Sequence, residues 1–206
     1  MTQNASLRYL ALGDSYTIGE GVSKAQCWPF QLVTALLEHG WHVAETRILA
    51  RTGWTTGELS TAIQQADLQP GYDLVSLGIG VNNQYRGLSS NMYRLEFAQL
   101  LQQAIFLAGG DPRRVFVISI PDWSVTPFAT GRDRKKIAAE IALFNGINQQ
   151  ETAKQGAGYF DITAISRNAE LETDLLTSDQ LHPSGKVYAA WVKLLLPFAL
   201  QILEQH

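Results

Sequence analysis

The stretch LRYLALGDS, which runs from Leu7 to Ser15, decides the class of fold. Its apolar run over Leu7–Leu12 stops at a Gly-Asp pair, and this pattern is typical of a buried strand that ends in a turn. Four later segments also have strand character and are bounded by turn residues. These predicted strands are His42–Leu49, Asp73–Gly78, Val115–Ile120 and Tyr159–Ile162.

Segments with apolar residues at helical spacing separate these strands. Trp28–His39 is one, with Pro29 near its start and Gly40 after its end. Further helices are predicted at Thr56–Ala66, Met92–Ala108 and Ile137–Gln155, and a last one from an N-cap at Ser184 towards Leu203. Because strands that alternate with helices form βαβ units, the sequence predicts one α/β domain over residues 1–206. Its expected architecture is a three-layer α/β/α sandwich with a five-stranded, doubly wound parallel sheet.

Composition and charge exclude several classes of protein. Apolar residues make up 46% of the 206 residues and the net charge is −3, which argues against a disordered tail and a general nucleic-acid binder. The single cysteine, Cys27, allows no internal disulfide and no Cys-based zinc site. The apolar stretch Leu194–Leu200 is too short to span a bilayer. Met1–Leu10 lacks the charged and apolar regions of a signal peptide. We therefore expect a cytoplasmic protein without a membrane span.

Polar and glycine-containing segments follow the predicted strands, where open parallel sheets bind their ligands. They are Gly13-Asp14-Ser15, Arg51-Thr52-Gly53-Trp54, Gly80-Val81-Asn82-Asn83, Pro121-Asp122-Trp123 and Asp179-Gln180-Leu181-His182. This arrangement brings a serine, a turn glycine, an asparagine, and an aspartate–histidine pair to one edge of the sheet. Acyl transfer requires such a set, namely a hydroxyl nucleophile, a base with its orienting carboxylate, and neutral donors for an oxyanion.

Four of these motifs, in this order, resemble those of the SGNH (GDSL) hydrolases. They are Gly13-Asp14-Ser15, Gly53, Gly80-x-Asn82 and Asp179-x-x-His182. The resemblance extends from Leu10 to the last predicted helix and implies the flavodoxin-like fold of that family. It also implies an ester hydrolase that acts on a small-molecule ester and uses neither a cofactor nor a metal.

The resemblance also implies a role for each motif residue. Ser15 would be the nucleophile, His182 the general base and Asp179 its carboxylate partner. The oxyanion hole would be formed by the backbone N–H groups of Ser15 and Gly53 and by the side-chain amide of Asn82. These residue types suit such roles, because a serine hydroxyl needs a base and an asparagine amide donates hydrogen bonds without adding charge.

Three positions qualify this interpretation. Thr17 stands where the second glycine of a Gly-x-Ser-x-Gly nucleophile elbow would be, so the sequence does not predict an alpha/beta-hydrolase site. Asn83 stands where the family usually has aspartate, and we expect it to keep most of the loop hydrogen bonds without the charge. Asp14, beside the serine, is expected to brace the loop rather than to act chemically.

Other residues leave alternatives open. Trp54, Tyr85 and Trp123 follow site strands and belong either to the core or to a wall that binds an acyl chain or stacks on a sugar. The charged run Arg132–Lys136 is either a solvated lead into a helix or a grip for an anionic substrate. Gly78-Ile79-Gly80 lacks the third glycine of a dinucleotide loop, so no nucleotide cofactor is predicted.

The function predicted from the sequence is a serine esterase with an acyl-enzyme on Ser15. Short acyl chains on a small or sugar-like alcohol are favoured. A lysophospholipase or thioesterase of the same family is the alternative within enzymes. A catalytically silent relative that binds a ligand in the same cleft is the alternative outside them. The sequence does not indicate an oligomeric state.

Overall fold

A computed structural model describes residues 7–168 and 173–204 of the chain. Its five strands form a single all-parallel sheet in the order β2-β1-β3-β4-β5. The strands are β1 (Leu7–Gly13), β2 (Val43–Ala50), β3 (Leu74–Gly78), β4 (Val115–Ile118) and β5 (Gly158–Phe160). Each predicted strand is present, and the predicted doubly wound α/β fold is confirmed.

Helices connect the strands, as the parallel pairing requires. They are α1 (Ser15–Ile18), α2 (Trp28–Glu38), α3 (Thr56–Gln65), α4 (Val81–Tyr85), α5 (Ser90–Leu107), α6 (Arg134–Gln155), α7 (Thr163–Arg167) and α8 (Gly185–Glu204). The sequence did not predict α1, α4 and α7, because helices of four or five residues are too short to show a periodic pattern. Two of these short helices, α1 and α4, carry residues of the candidate site.

The sheet is enclosed by helices that pack against each other. Helix α2 packs on α8, while α3 and α6 both pack on α5. Strand β1 lies between β2 and β3, and its Leu10, Ala11 and Leu12 are fully buried. This burial on both faces explains why β1 has a continuous apolar run rather than alternating residues.

Helix α8 has the length and the mean hydropathy, 1.4, of a segment that could cross a membrane, and no other helix in the described ranges does. Its Trp191, Leu195 and Ala199 are nevertheless buried inside the protein. Packing against α2 therefore accounts for its apolar composition. The expected absence of a membrane span and the expected location stay predictions, since residues 1–6 lie outside the described part of the chain.

The start of α8 agrees with the predicted N-cap in position but not in its side-chain hydrogen bond. Ser184 precedes the helix, and its carbonyl accepts the backbone N–H groups of Val187 and Tyr188 at 3.0 and 3.1 Å. Ser184 therefore holds the predicted N-cap position, but its hydroxyl is buried and has no hydrogen-bond partner among the described residues, so its side chain does not cap the helix. The backbone N–H of Ser184 donates instead to Leu175, 2.8 Å away, which ties the start of α8 to the preceding loop.

Candidate active site

Ser15 is held at the point where β1 meets α1. Asp14 is the N-cap of α1, and its Oδ1 accepts the backbone N–H of Tyr16 at 3.0 Å. A Cβ on Gly13 would lie 2.5 Å from the carbonyl oxygen of Gly78 and would also collide with Thr17, so only glycine fits before this turn. Asp14 therefore braces the loop, and Ser15 occupies the first turn of α1.

A tight turn positions Asp179 and His182. Oδ1 of Asp179 accepts the backbone N–H groups of Leu181 and His182 at 2.9 and 3.0 Å, and the Thr177 hydroxyl at 2.8 Å. Gln180, inside the turn, has a φ of 60°, in the left-handed region that non-glycine residues rarely adopt. Such strain persists only where the surrounding hydrogen bonds fix the backbone. The turn leaves Oδ2 of Asp179 free to face the imidazole.

Ser15, His182 and Asp179 form one hydrogen-bonded series. Oδ2 of Asp179 lies 2.6 Å from Nδ1 of His182, and Nε2 of His182 lies 2.9 Å from Oγ of Ser15. An ionised carboxylate only accepts hydrogen bonds, so Nδ1 carries a proton and Nε2 is left to accept the serine O–H. Ser15 and His182 are both buried.

The pKa values of two carboxyl groups near Ser15 are shifted in opposite directions. Burial acts to raise the pKa of Asp179, but its hydrogen bonds from the imidazole, two backbone N–H groups and a hydroxyl outweigh burial and lower it to about 2. Burial raises the pKa of Asp14 to about 7, because the backbone N–H groups of Tyr16 and of Asp14 itself only partly offset the loss of solvent. Asp179 is therefore the ionised partner of the imidazole.

The predicted oxyanion donors lie around the same space. Gly53 has a φ of 85°, and its carbonyl is held by the Arg86 guanidinium at 2.6 Å. Asn82, in α4, donates from Nδ2 to the carbonyl of Trp54 at 2.9 Å, which leaves its second amide N–H for another acceptor. Gly80 before α4 has a φ of 126°, and a Cβ there would collide with Tyr93. The local backbone therefore places the loop after β2 beside α4.

These residues border a cavity of about 200 Å³. It is lined by Ser15, Tyr16, Thr52, Gly53, Val81, Asn82, Tyr85, Trp123, Phe128, Leu181 and His182. Of the three aromatic residues proposed from the sequence, Tyr85 and Trp123 line it. Trp54 packs against the core and contributes its backbone carbonyl to Asn82. Sequence reasoning missed Phe128, which belongs to a short turn with no motif to mark it.

A chain of side-chain hydrogen bonds fixes the orientation of Trp123. Its Nε1 donates to Oε1 of Gln84 at 2.9 Å, and Nε2 of Gln84 donates to Glu140 at 2.8 Å. The Trp123 ring also contacts Tyr85 and Phe128, with ring centroids 5.8 and 5.9 Å apart. The rings of Tyr85, Trp123 and Phe128 form one side of the cavity, which we call the aromatic wall.

In residues 7–168 and 173–204, no group of three or more His, Cys, Asp and Glu side chains could hold a metal ion. His39, at the end of α2, belongs to no such group, and its Nδ1 lies 2.8 Å from the carbonyl oxygen of Ala35. The predicted independence from metals and cofactors stays a prediction.

Comparison with known proteins decides the family. The model of the GDSL-like lipase/acylhydrolase family matches residues 11–190 of the chain, a range that includes all four motifs. The chain belongs to this family. The resemblance read from the motifs is thereby confirmed, and the protein is a GDSL-family hydrolase. Among curated proteins, no sequence matches the chain.

Solved structures of two esterases and a phospholipase share the fold. Phospholipase A1 from Streptomyces albidoflavus superposes with a TM-score of 0.69 at 20% identity, over 96% of this chain and 99% of that one. A variant of Axe2, an acetyl-xylooligosaccharide esterase from Geobacillus stearmophilus, gives 0.70 at 16%, over 97% and 96%. Esterase EstA from Pseudoalteromonas, inhibited by monoethylphosphonate, gives 0.65 at 15%, over 96% and 97%. At these identities the likeness is one of fold.

Proposed function

We propose that this GDSL-family protein is a serine esterase that hydrolyses carboxylic esters through an acyl-enzyme on Ser15. The observation that carries the proposal is the hydrogen-bonded series from Asp179 through His182 to Ser15, which ends in the cavity beside Gly53 and Asn82. A hydroxyl 2.9 Å from an unprotonated imidazole nitrogen is the arrangement that general-base activation of serine requires.

In the acylation step, Oγ of Ser15 attacks the ester carbonyl carbon and its proton passes to Nε2 of His182. The carbonyl oxygen becomes an oxyanion, which the backbone N–H groups of Ser15 and Gly53 and the free N–H of Asn82 stabilise. His182 then gives its proton to the leaving alcohol as the C–O bond breaks. The Asp179 carboxylate stabilises the imidazolium during this exchange.

In the deacylation step, a water molecule takes the place of the alcohol. His182 accepts a proton from this water as the water oxygen attacks the acyl carbon. Collapse of the second oxyanion breaks the bond to Oγ of Ser15, and His182 returns the proton to that oxygen. The products are the carboxylic acid and the free enzyme.

The cavity favours a small substrate. Its volume of about 200 Å³ lies below the roughly 300–1,000 Å³ of sites that enclose drug-sized ligands. We therefore favour short acyl chains, and the aromatic wall suits a small or sugar-like alcohol. The structural neighbours named above include both a phospholipase and an acetyl-xylooligosaccharide esterase, so they do not choose between the esterase and a lysophospholipase or thioesterase.

Covalent labelling tests the proposal. A fluorophosphonate should add once to the protein, at Ser15, as measured by intact mass and peptide mapping. Ser15→Ala should not be labelled, while Ser89→Ala is the control, because Ser89 is an exposed serine whose side chain makes no helix-capping hydrogen bond. An unlabelled wild type that still binds ester analogues would instead support the silent ligand-binding relative. A panel of esters of graded acyl length would then define the substrate.

A further inference from the structure

We propose that Arg132 binds an anionic group, a carboxylate or a phosphate, which the ester substrate carries outside its reacting bond. This inference rests on the proposed function and names a class of substrate for the same site. It depends on the position of Arg132 at the aromatic wall and on the hydrogen-bond donors of its guanidinium group that no protein group uses.

Arg132 lies over all three rings of the aromatic wall. Its guanidinium carbon is 5.1 Å from the ring centroid of Tyr85, 5.2 Å from that of Phe128 and 5.7 Å from that of Trp123. One of its terminal nitrogens also donates to the hydroxyl of Tyr85 at 3.1 Å. Stacking on aromatic rings fixes the orientation of a planar guanidinium and leaves its edge donors free.

The guanidinium has donors that no protein group uses. Among the described residues, no carboxylate forms an ion pair with Arg132, whereas Arg86, which follows Tyr85 in the chain, pairs with Glu58 at 3.3 Å. Asp133, the neighbouring acid, accepts the backbone N–H of Lys136 as the N-cap of α6. Of the five N–H donors of a guanidinium, the structure assigns one, to the Tyr85 hydroxyl.

The other cations of the charged run Arg132–Lys136 are placed differently. Arg134 begins α6 and donates to the carbonyl of Thr126 at 3.2 Å, and Lys136 lies 3.8 Å from Glu140 on the same helix. The run is therefore partly a helix start, as one of the two sequence interpretations expected. Only Arg132 in this run contacts the rings that line the cavity.

The cavity itself presents no opposing charge. Its lining contains no Asp, Glu, Lys or Arg side chain, and Asp179 lies behind the imidazole of His182. A substrate with its ester carbonyl at Ser15 that extends along the Tyr85 ring would bring its far end towards Arg132. An anionic group at that end gains charge-assisted hydrogen bonds, and a neutral group of the same size does not.

The test compares matched esters in matched variants. One pair is para-acetoxybenzoate and its methyl ester, with the anion on the alcohol side; the other is phenyl hemisuccinate and phenyl methyl succinate, with the anion on the acyl side. Each ester is compared with itself across wild type, Arg132→Gln, Arg132→Lys and Lys135→Gln, so its intrinsic reactivity cancels. Lys135→Gln removes the same charge from a neighbouring exposed residue and controls for the overall field.

Arg132→Gln should lower kcat/KM about tenfold for the charged ester of at least one pair, mainly through KM, since one charge-assisted hydrogen bond contributes on that scale. The neutral ester of that pair should change less than about twofold. Lys135→Gln should leave the preference intact, and Arg132→Lys should retain part of it. Equal losses for the charged and neutral esters would overturn the proposal, because Arg132 would then only brace the aromatic wall. The absence of any loss of kcat/KM in either pair would also overturn it.

A binding measurement separates this inference from the proposed function. In Ser15→Ala, at least one of para-acetamidobenzoate and N-phenylsuccinamate, the amide analogues of the two charged esters, should bind about tenfold more tightly than its methyl ester, as followed by quenching of tryptophan fluorescence. Adding Arg132→Gln should abolish that difference. If no ester were hydrolysed but this difference remained, the esterase proposal would fail and the anion site would stand. If esters were hydrolysed and neither experiment showed a dependence on Arg132, the anion site alone would fail.

Discussion

The side-chain amide of Asn83 donates a hydrogen bond to the hydroxyl of Thr56, 2.7 Å away, and its oxygen accepts the backbone N–H of Thr56 at 3.0 Å. Both residues are buried. The Thr56 hydroxyl in turn donates to the carboxylate of Glu96. Asn83 thus keeps the backbone contact expected of an aspartate there, but the negative charge of this network lies on Glu96.

We predict that Asn83→Asp is destabilising in the wild-type background. Two carboxylates, on Asp and on Glu96, would then compete for the single hydroxyl proton of Thr56, and one buried acceptor would lose its donor. A lost partner of this kind costs about 1–3 kcal/mol of the free energy of unfolding. Urea denaturation measures the cost. The loop after β2 that carries Gly53 ends next to Thr56, so kcat should fall as well.

Adding Glu96→Gln should repair Asn83→Asp. The glutamine amide can donate to the Thr56 hydroxyl, which can then donate to the new aspartate, so the direction of the hydrogen-bond chain is reversed and every group has a partner. Glu96→Gln alone should cost little, because its amide oxygen can still accept from Thr56. A double variant as unstable as Asn83→Asp would show that the two positions are not coupled.

We predict that Asp179→Asn loses activity while its turn survives. The oxygen of asparagine can keep the three hydrogen bonds that Oδ1 of Asp179 accepts, so its amide NH₂ must face Nδ1 of His182. That nitrogen then has to accept, the imidazole proton moves to Nε2, and Nε2 can no longer take the proton of Ser15. The expected loss of kcat is roughly 10³–10⁴-fold, with the melting temperature nearly unchanged.

The pH profile gives an independent test of Asp179. Since its pKa is about 2, its carboxylate is ionised throughout the range in which the protein is folded and assayed. Wild-type kcat/KM should therefore show no step near pH 4, where an ordinary Asp carboxyl ionises. A step near pH 4, or full activity of Asp179→Asn, would mean that another acid is the partner, and Asp174 would be the residue to replace next.

We predict that Asp14→Asn stabilises the fold as the pH rises. Asp14 keeps its proton in the folded state up to about pH 7, whereas an unfolded chain releases it near pH 4, so folding becomes less favourable between these values. Asparagine keeps the hydrogen bond to the N–H of Tyr16 and has no charge to bury. Relative to wild type, its free energy of unfolding should gain up to about 4 kcal/mol between pH 4 and 7.

Activity of Asp14→Asn tests whether this acid acts chemically. If Asp14 only braces the loop, kcat should stay within about tenfold of wild type, a change of less than roughly 1.4 kcal/mol in the activation barrier. A larger loss with an intact fold would assign Asp14 a direct role. Stability that does not change relative to wild type between pH 4 and 7 would contradict the environment described for its carboxyl group.

The sequence predicted the strands and the site motifs because both depend on local pattern. Apolar runs mark β1 and β4, and parallel pairing brings the residues after each strand to one edge. The sequence could not predict α1 and α4, since such short helices are fixed by tertiary contacts. It also could not predict that Glu96, in the middle of α5, completes the network of Asn83, because no local signal links residues so far apart in the chain.

The aromatic wall shows the same limit of prediction from the sequence. Tyr85 and Trp123 could be proposed because they follow site strands, but Trp54, chosen for the same reason, packs against the core. Its position after β2 determines where its backbone lies, and the packing around it determines where its ring points. Phe128 and Arg132 reach the wall from a loop whose path only the folded chain defines.

The last prediction concerns Asn82, whose amide has two tasks. One N–H holds the carbonyl of Trp54, and the other is available to the oxyanion, an interaction that strengthens as charge develops in the transition state. Asn82→Ala should therefore lower kcat about 100- to 1,000-fold with little change in KM. It should also cost about 1 kcal/mol of the free energy of unfolding through the lost bond to Trp54. Asn82→Asp should be slower still, because its carboxylate would repel the developing oxyanion. If Asn82→Ala lowered only the stability and left kcat intact, Asn82 would be an anchor for the Trp54 loop and not an oxyanion donor.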